Sequence, residues 1–295
     1  MRILISLISV ICTFSSFAQP GTDIYLFDMK ITQTGISLSN PVNITHRKGY
    51  DNQPFFAPNR SLIYYTSAKD TLGNTEIKTY DYVSKKTNFF TNTPEGEYSP
   101  TVTPDQKYIS CILGRNVGKK NVTQYLVKYP ISGGSATILI DNMVVGYHTW
   151  IDKNRLMLFV LGDTGQNALH YFNIKTRQDR ILMYNPGRTL QKIPGEDAVG
   201  FIDKSDSNNI IIKKIFTNSL KNQFVSKTVG KSEFVTWIKK DLLIMSDGKD
   251  LFINQLSVNK GWQKIAYNNE TFLLKGITRL AVNSNYTKLA IVAAE

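Results

Sequence analysis

The chain has 295 residues, of which 42% are hydrophobic, and its formal net charge is +12 at pH 7. This length is enough for one large domain or two small ones. The basic residues are scattered, without the stripe of arginine and aromatic residues typical of nucleic-acid binding, so we exclude nucleic acid as a partner and keep a solvated surface or an anionic glycan or lipid headgroup as alternatives.

The first 18 residues have the pattern of a secretory signal peptide. Arg2 supplies a positive start, an apolar run follows, and Ser16 and Ala18 are small residues at the two positions that signal peptidase recognises. We therefore expect cleavage near Ala18 and one mature domain over residues 19–295, in the periplasm or outside the cell. No later apolar run reaches membrane-spanning length, which predicts a soluble mature chain without a transmembrane segment.

Cysteine usage also bears on the fold. Cleavage removes Cys12 and leaves Cys111, which cannot form an internal disulfide by itself. Cys111 lies in the apolar run YISCIL with no histidine near it in sequence, which favours a buried, inert thiol over a nucleophile. The hydrophobic core must therefore hold this fold together.

Along the mature chain, short β-branched and aromatic runs alternate with Gly, Asn, Asp and Pro about every ten residues. SLIYYTS, KYISCIL and RLMLFVL are examples. No long stretch shows helical spacing with caps. This pattern predicts many antiparallel strands joined by tight turns.

The strands recur in repeated units. QPFFAPNRSLIYYTS over 53–67 is echoed by SPTVTPDQKYISCIL over 99–113. Each unit is anchored on an apolar residue just before a polar turn, and the anchors are Phe56, Val102, Trp150, Phe201, Trp237 and Val282. Their separations are 46, 48, 51, 36 and 45 residues. The fourth unit is the least regular: GRTLQKIPG reads as an insertion before it, and QFVSKTV as one of its outer strands.

A repeat of about 45 residues with four strands is typical of a propeller blade, and the mature length accommodates six. The last unit has room for only two strands after Arg279, whereas TDIYLFDMKI and ISLSNPVNIT near the start resemble outer strands. We therefore predict an all-β, six-bladed β-propeller of four-stranded antiparallel blades, closed by pairing of N-terminal with C-terminal strands. The aromatic anchors should fill the spaces between blades.

The repeat motif, clearest in Pro54–Ser67 and Pro100–Leu113, resembles the TolB-type β-propeller repeat. This resemblance covers the propeller alone, because the chain has no room for the additional N-terminal domain of TolB. It implies an exported propeller that binds a protein or peptide. The Pro-Asn and Pro-Asp pairs of the motif have a structural role, since they initiate turns.

Acidic residues precede the inner strand in three units. Asp51, Glu97 and Glu196 each lie five residues before their anchor. Equivalent positions in a propeller form a ring, so these residues either line the channel mouth and bind a cation or basic partner, or cap the turn that enters the strand. The same mouth is expected to carry Asn52, Tyr98, His148, Glu233 and Arg279, a mixed polar and aromatic ring that is the predicted partner-binding surface.

No catalytic constellation is found. G-x-S-x-G is absent, and His46, His148 and His170 are not expected to converge on a metal. The sequence predicts no metal, no cofactor and no enzymatic activity. The leading hypothesis is a monomeric binding module for an envelope protein or peptide. The alternative is a carbohydrate-binding or polyuronate-lyase-like propeller, motivated by the positive charge and by His148 near the channel.

Overall fold

The computed structural model describes residues 21–32, 35–69, 74–116, 122–162, 166–267 and 274–295. These residues form six four-stranded antiparallel sheets arranged as the blades of a propeller, as the repeats predict. The predicted signal peptide over 1–18 lies outside the described residues.

The chain begins with two strands of the sixth blade, β1 (Thr22–Thr32) and β2 (Gly35–Asn43). Each of the next three blades then runs from an inner to an outer strand. Blade 1 contains β3 (Asp51–Phe56), β4 (Leu62–Ala68), β5 (Thr75–Asp81) and β6 (Lys86–Phe89). Blade 2 contains β7 (Gly96–Val102), β8 (Tyr108–Asn116), β9 (Val122–Pro130) and β10 (Thr137–Ile140). Blade 3 contains β11 (Val145–Trp150), β12 (Arg155–Val160), β13 (Ala168–Asn173) and β14 (Gln178–Tyr184).

The remaining blades complete the ring. Blade 4 contains β15 (Pro186–Lys192), β16 (Ala198–Asp203), β17 (Ile211–Phe216) and β18 (Asn222–Lys227). Blade 5 contains β19 (Val235–Lys239), β20 (Leu242–Ser246), β21 (Leu251–Gln255), a short 3₁₀ turn (Leu256–Val258) and β22 (Gln263–Lys264). Blade 6 starts with β23 (Leu280–Val282) and β24 (Lys288–Ala294).

The sixth blade closes the ring as expected. β24 pairs with β1 from Thr22 opposite Ala294 to Asp28 opposite Lys288. The Glu295 carboxylate also accepts a hydrogen bond from the Gly49 backbone N–H at 2.6 Å. Neither end of the described propeller can separate without opening this sheet, which compensates for the absence of a disulfide in the described fold.

The core consists of hydrophobic clusters, each shared by two neighbouring blades. One joins Tyr64 of blade 1 to Val102 and Cys111 of blade 2. Another joins Ile202 of blade 4 to Trp237 of blade 5. Four of the predicted aromatic anchors are buried in these spaces: Phe56, Trp150, Phe201 and Trp237. Cys111 is fully buried, and burial raises the pKa of its thiol well above the usual value, so the inert reading fits its environment.

In the fourth unit the inner strand differs from the one predicted from the sequence. Its inner strand is β15, within the segment that the repeat analysis treats as an insertion, and Phe201 lies on the second strand, β16. The inner strands end at Phe56, Val102, Trp150, Lys192, Lys239 and Val282, at separations of 46, 48, 42, 47 and 43 residues. The hydrophobic alternation of β16 resembles that of an inner strand, and this similarity misplaced the anchor. QFVSKTV, residues 223–229, overlaps the outer strand β18 over residues 223–227, as expected.

Inner strands of neighbouring blades are tied together by side chains at repeated positions. Gln53 and Ser99, the residues before Pro54 and Pro100, both have a left-handed backbone with φ of 57° and 54°. The side-chain oxygen of Gln53 accepts a hydrogen bond from the Ser99 backbone N–H of the next blade at 2.7 Å. Thr189 of blade 4 lies at the equivalent position, and its side-chain oxygen accepts a hydrogen bond from the Val235 backbone N–H at 3.0 Å.

Candidate binding site in the central channel

The inner strands surround a channel that widens at both faces of the ring. We call the face at which these strands begin the upper face and the opposite one the lower face. The upper cavity has a volume of about 800 Å³ and the lower cavity about 560 Å³. Arg188, Phe234 and Arg279 line both cavities and therefore form the neck between them.

Every blade contributes a side chain to the upper cavity near the start of its inner strand. In blade order these residues are Asn52, Tyr98, Tyr147, Arg188, Phe234 and Arg279. We call this set the channel ring. It places two cationic, three aromatic and one amide side chain around one opening, a composition suited to a specific ligand.

Arg279 is the most constrained member of the channel ring. Its guanidinium lies 4.6 Å from the centre of the Phe234 ring and 5.2 Å from that of Tyr147. It donates hydrogen bonds to the Asn52 side-chain oxygen at 3.2 Å and to the Tyr147 hydroxyl at 2.9 Å. Contacts with two rings and two neutral acceptors fix the orientation of this cation without neutralising its charge.

Glu233 is the carboxylate that lines the upper cavity. It forms ion pairs with Lys204 and, at 3.7 Å, with Arg188. Among the side chains that line this cavity, Arg188, Lys204 and Arg279 are positive and Glu233 is negative. The upper cavity is therefore electropositive, which favours an anionic ligand.

Tyr50 extends the aromatic surface of the upper cavity. Burial raises its pKa to about 12, although the nearby positive charges of Arg279 and Arg188 act in the opposite direction. Its hydroxyl is therefore protonated at pH 7 and retains a hydrogen-bond donor beside the cations.

Four of the sequence-predicted site residues line the upper cavity: Asn52, Tyr98, Glu233 and Arg279. The structure thus brings together residues from blades 1, 2, 5 and 6. The other four predicted residues lie elsewhere.

Asp51 is fully buried beside the ring and does not line either cavity. It forms an ion pair with Arg47 at 3.0 Å, and burial raises the pKa of its carboxyl. Its neighbour Asn52 points to the channel because successive strand residues face opposite ways. Asp51 therefore fits the alternative of a structural role at the strand entrance better than that of a channel ligand.

Glu97 is likewise fully buried, between blades 1 and 2. Its carboxyl accepts hydrogen bonds from Thr93 Oγ1 at 2.6 Å and from the Tyr129 hydroxyl at 2.9 Å. Burial, with the Glu76 carboxylate close by, raises the pKa of Glu97 to about 7. The expected acidic ring at the mouth is therefore wrong in its geometry, because these carboxylates point between blades.

His148 lies on the inner strand β11, as predicted, but it lines the lower cavity. Its Nε2 is 2.7 Å from Ser110 Oγ, which also accepts a hydrogen bond from Trp150 Nε1 at 2.8 Å. Burial lowers the pKa of His148 to about 3, so the ring is neutral at pH 7. Tyr147, one residue earlier, takes the expected place at the upper mouth, because successive strand residues project from opposite sides of the sheet and the His148 side chain contacts Ser110 of blade 2.

Glu196 is placed incorrectly by the sequence. It lies in the turn between β15 and β16, at the lower face, where Lys214 donates a hydrogen bond to it at 2.5 Å. The misassigned fourth unit is the cause, since Glu196 follows the inner strand of blade 4 instead of preceding it.

Arg188, Tyr147 and Phe234 line the upper cavity but are not among the site residues predicted from the sequence. Arg188 lies in GRTLQKIPG, the stretch interpreted from the sequence as an insertion. A usable signal was Pro194, which lies 90 residues after Pro104, two repeats on, and occupies the same turn after the inner strand. Aligning that turn with those of the first two units places Arg188 level with Asn52 and Tyr98.

In the described part of the chain, no three or more His, Cys, Asp or Glu side chains come close enough together to hold a metal ion. His170 lies on β13 and pairs with Asp179 at 2.8 Å, away from His148. The described residues also contain no helix long and apolar enough to span a membrane.

No family model matches the sequence, and neither does any curated protein. Solved structures do resemble it. A structure designated TolB from Agrobacterium tumefaciens has a TM-score of 0.69 at 11% identity, over 94% of this chain and 99% of that one. TolB from Acinetobacter baumannii has a TM-score of 0.57 at 10% identity, covering 93% of this chain, which spans 64% of that protein. An oligogalacturonate lyase from Vibrio parahaemolyticus also has a TM-score of 0.57, at 13% identity, over 93% of this chain and 90% of that one.

These identities establish the fold and not the activity, since propellers host both binding and catalysis. The repeat motif, the six blades and the TolB structures agree on the architecture. The chain is a six-bladed β-propeller, and its fold is similar to that of the TolB structures.

Proposed function

We propose that the protein is a non-catalytic binding module of the bacterial envelope that receives a protein or peptide segment in the upper cavity. The observation that carries this proposal is the channel ring, to which every blade contributes one side chain around a single opening. A propeller offers a rigid scaffold for such a ring, and preorganised side chains reduce the entropic cost of binding.

The size of the cavity supports a segment of a partner as the ligand. A volume of about 800 Å³ lies within the range of pockets that enclose small ligands. It accommodates a few residues of an extended peptide. The proposal also includes export by the predicted signal peptide and a monomeric state.

The proposal is tested by retention of envelope proteins on the immobilised mature chain. An Arg279→Glu plus Tyr98→Ala variant alters the ring, and a Lys153→Glu plus Tyr184→Ala variant makes the same changes at two exposed positions of blade 3. We expect the native chain and the blade 3 variant to retain the same protein and the ring variant to lose it. Retention by the ring variant would place the interface outside the upper cavity.

An acidic saccharide is the second candidate ligand. Tyr50 and Tyr98 line the same cavity as Arg188 and Arg279, and rings beside cations also suit a uronate sugar. Oligogalacturonate lyases are among the structural neighbours, one of them in complex with manganese. Incubation with oligogalacturonate, with and without manganese, distinguishes the candidates: the leading proposal expects no unsaturated product, and turnover would favour the second.

A further inference from the structure

Arg279 has an uncompensated charge. Within the described ranges, no carboxylate lies within ion-pair distance of it, and both of its hydrogen-bond acceptors are neutral. Glu233, which lines the same cavity, is paired with Lys204 and Arg188, and Asp51, the sequence neighbour of Asn52, is paired with Arg47. A half-buried guanidinium held in this way is a preformed receptor for an anion, and its planar fork matches a carboxylate.

The wall of the same cavity carries unsatisfied polar atoms. Gln124 Oε1, Asn167 Oδ1 and Thr278 Oγ1 are buried and have no hydrogen-bond partner among the described residues. Buried polar atoms in native proteins are almost always paired with protein groups, ordered water or a ligand, so these three atoms are available to a molecule bound in the cavity. The amide N–H groups of a peptide backbone supply such donors at regular intervals.

The rest of the lining favours a peptide over a saccharide. Ile112, Phe159 and Leu161 give the cavity apolar walls that suit peptide side chains. Among the described residues that line the cavity, the carboxylate that could receive the neighbouring hydroxyls of a sugar is that of Glu233, which is already paired with two cations.

We propose that the upper cavity captures its partner through a carboxylate, which binds Arg279 at the neck while backbone N–H groups of the same segment bind Gln124 and Asn167. This inference depends on the proposed peptide-binding function and adds the chemistry of the ligand. The carboxylate has two possible sources, the C-terminus of a chain or an Asp or Glu side chain.

The test uses three pools of randomised acetylated tetrapeptides. The first pool has a free C-terminal carboxylate, the second is amidated and contains no acidic residue, and the third is amidated with Glu fixed at one position. Each pool is incubated with the mature chain, and bound peptides are measured by mass spectrometry. The proteins compared are the native chain, Arg279→Gln, and Arg60→Gln as an exposed control that loses the same charge.

We expect the native chain to retain the first or the third pool and not the neutral one, and the difference between those two identifies the source of the carboxylate. Arg279→Gln should weaken retention about 10- to 100-fold, as for a charge-assisted hydrogen bond, while Arg60→Gln leaves it unchanged. Thermal melting of each variant verifies folding, and Arg279→Lys, which keeps the charge without the planar fork, should recover retention only in part.

Equal retention of the neutral pool, or unchanged retention by folded Arg279→Gln, would overturn the inference. Retention of no pool would also overturn it. If an envelope protein still binds the native chain and is lost from the ring variant, the proposed function stands and only the carboxylate inference fails.

Discussion

Tyr147 holds Arg279 in two ways: its hydroxyl accepts a hydrogen bond from the guanidinium at 2.9 Å, and its ring centre lies 5.2 Å from the guanidinium carbon. The ring contact and the hydrogen bond are separable, because Tyr147→Phe removes only the hydroxyl. Comparing ligand affinity between the native chain and Tyr147→Phe therefore measures how much the orientation of Arg279 contributes to binding.

We predict that Tyr147→Phe weakens retention of the acidic peptide pool about 2- to 10-fold, the range for loss of one ordinary hydrogen bond. Folding stability should change little, since the ring stays in contact with Phe159 at 5.4 Å. Peptide titration and urea unfolding measure the two effects. Unaltered affinity would mean that Asn52 and Phe234 orient Arg279 by themselves.

Glu97 should make stability depend on pH. Its pKa is about 7 in the folded chain, against an ordinary value of 4.5, so the folded state binds the proton more tightly. This contribution is fully present below pH 4.5 and is lost as the pH rises through 7. We expect Glu97→Gln, which mimics the protonated acid, to lack this decline when urea unfolding is compared at pH 5 and pH 8. Parallel pH profiles for the two proteins would contradict the buried environment of Glu97.

His148 should make folding stability depend on pH in the opposite direction. Its pKa is about 3 in the folded chain, against 6.5 ordinarily, so the unfolded state binds the proton more tightly. Its contribution is present above pH 6.5 and is lost as the pH falls toward 3. His148→Gln should remove this acid sensitivity, seen as a smaller loss of unfolding free energy between pH 6.5 and pH 4. An equal loss of unfolding free energy in the native chain and in His148→Gln would show that His148 is solvated in the folded chain.

Close packing between blades 4 and 5 requires a glycine at position 200. A Cβ atom at this position would lie 2.3 Å from ring atoms of Trp237. We predict that Gly200→Ala destabilises the fold by about 1–3 kcal/mol, as overpacking of a core does. Adding Trp237→Phe, which has a smaller ring, should recover part of the loss, and thermal unfolding of the single and double variants measures this coupling. Strict additivity would mean that the two positions do not contact each other.

The sequence was sufficient to predict most of the blades because short apolar strands recur between polar turns, and the first two units mark the turn after the inner strand with Pro-Asn or Pro-Asp. Asp105 shows the expected turn capping, accepting hydrogen bonds from Thr103 Oγ1 at 2.6 Å and the Lys107 backbone N–H at 3.1 Å. Closure of the ring was predictable too. The last unit has room for only two strands, and the two N-terminal strands resemble the outer strands that this unit lacks.

The site was predictable only in part. A strand pattern does not reveal which way a single side chain faces near an irregular position, and the left-handed Gln53 and Ser99 lie beside the ring residues Asn52 and Tyr98. In blade 3 the pairing of β11 with β12 shifts between Val145 and Tyr147, so the sequence pattern selected His148 for the upper mouth where the structure has Tyr147. Arg188 was missed because one misplaced anchor shifted a whole blade.

The most direct test of the account is photo-cross-linking in the intact envelope. A photoreactive amino acid is placed at Tyr98 in the upper cavity or, as a control, at exposed Lys107 in the lower-face turn between β7 and β8. We predict one defined protein adduct from position 98 and none from position 107. No protein adduct from position 98, or the same adduct from position 107, would contradict binding in the upper cavity.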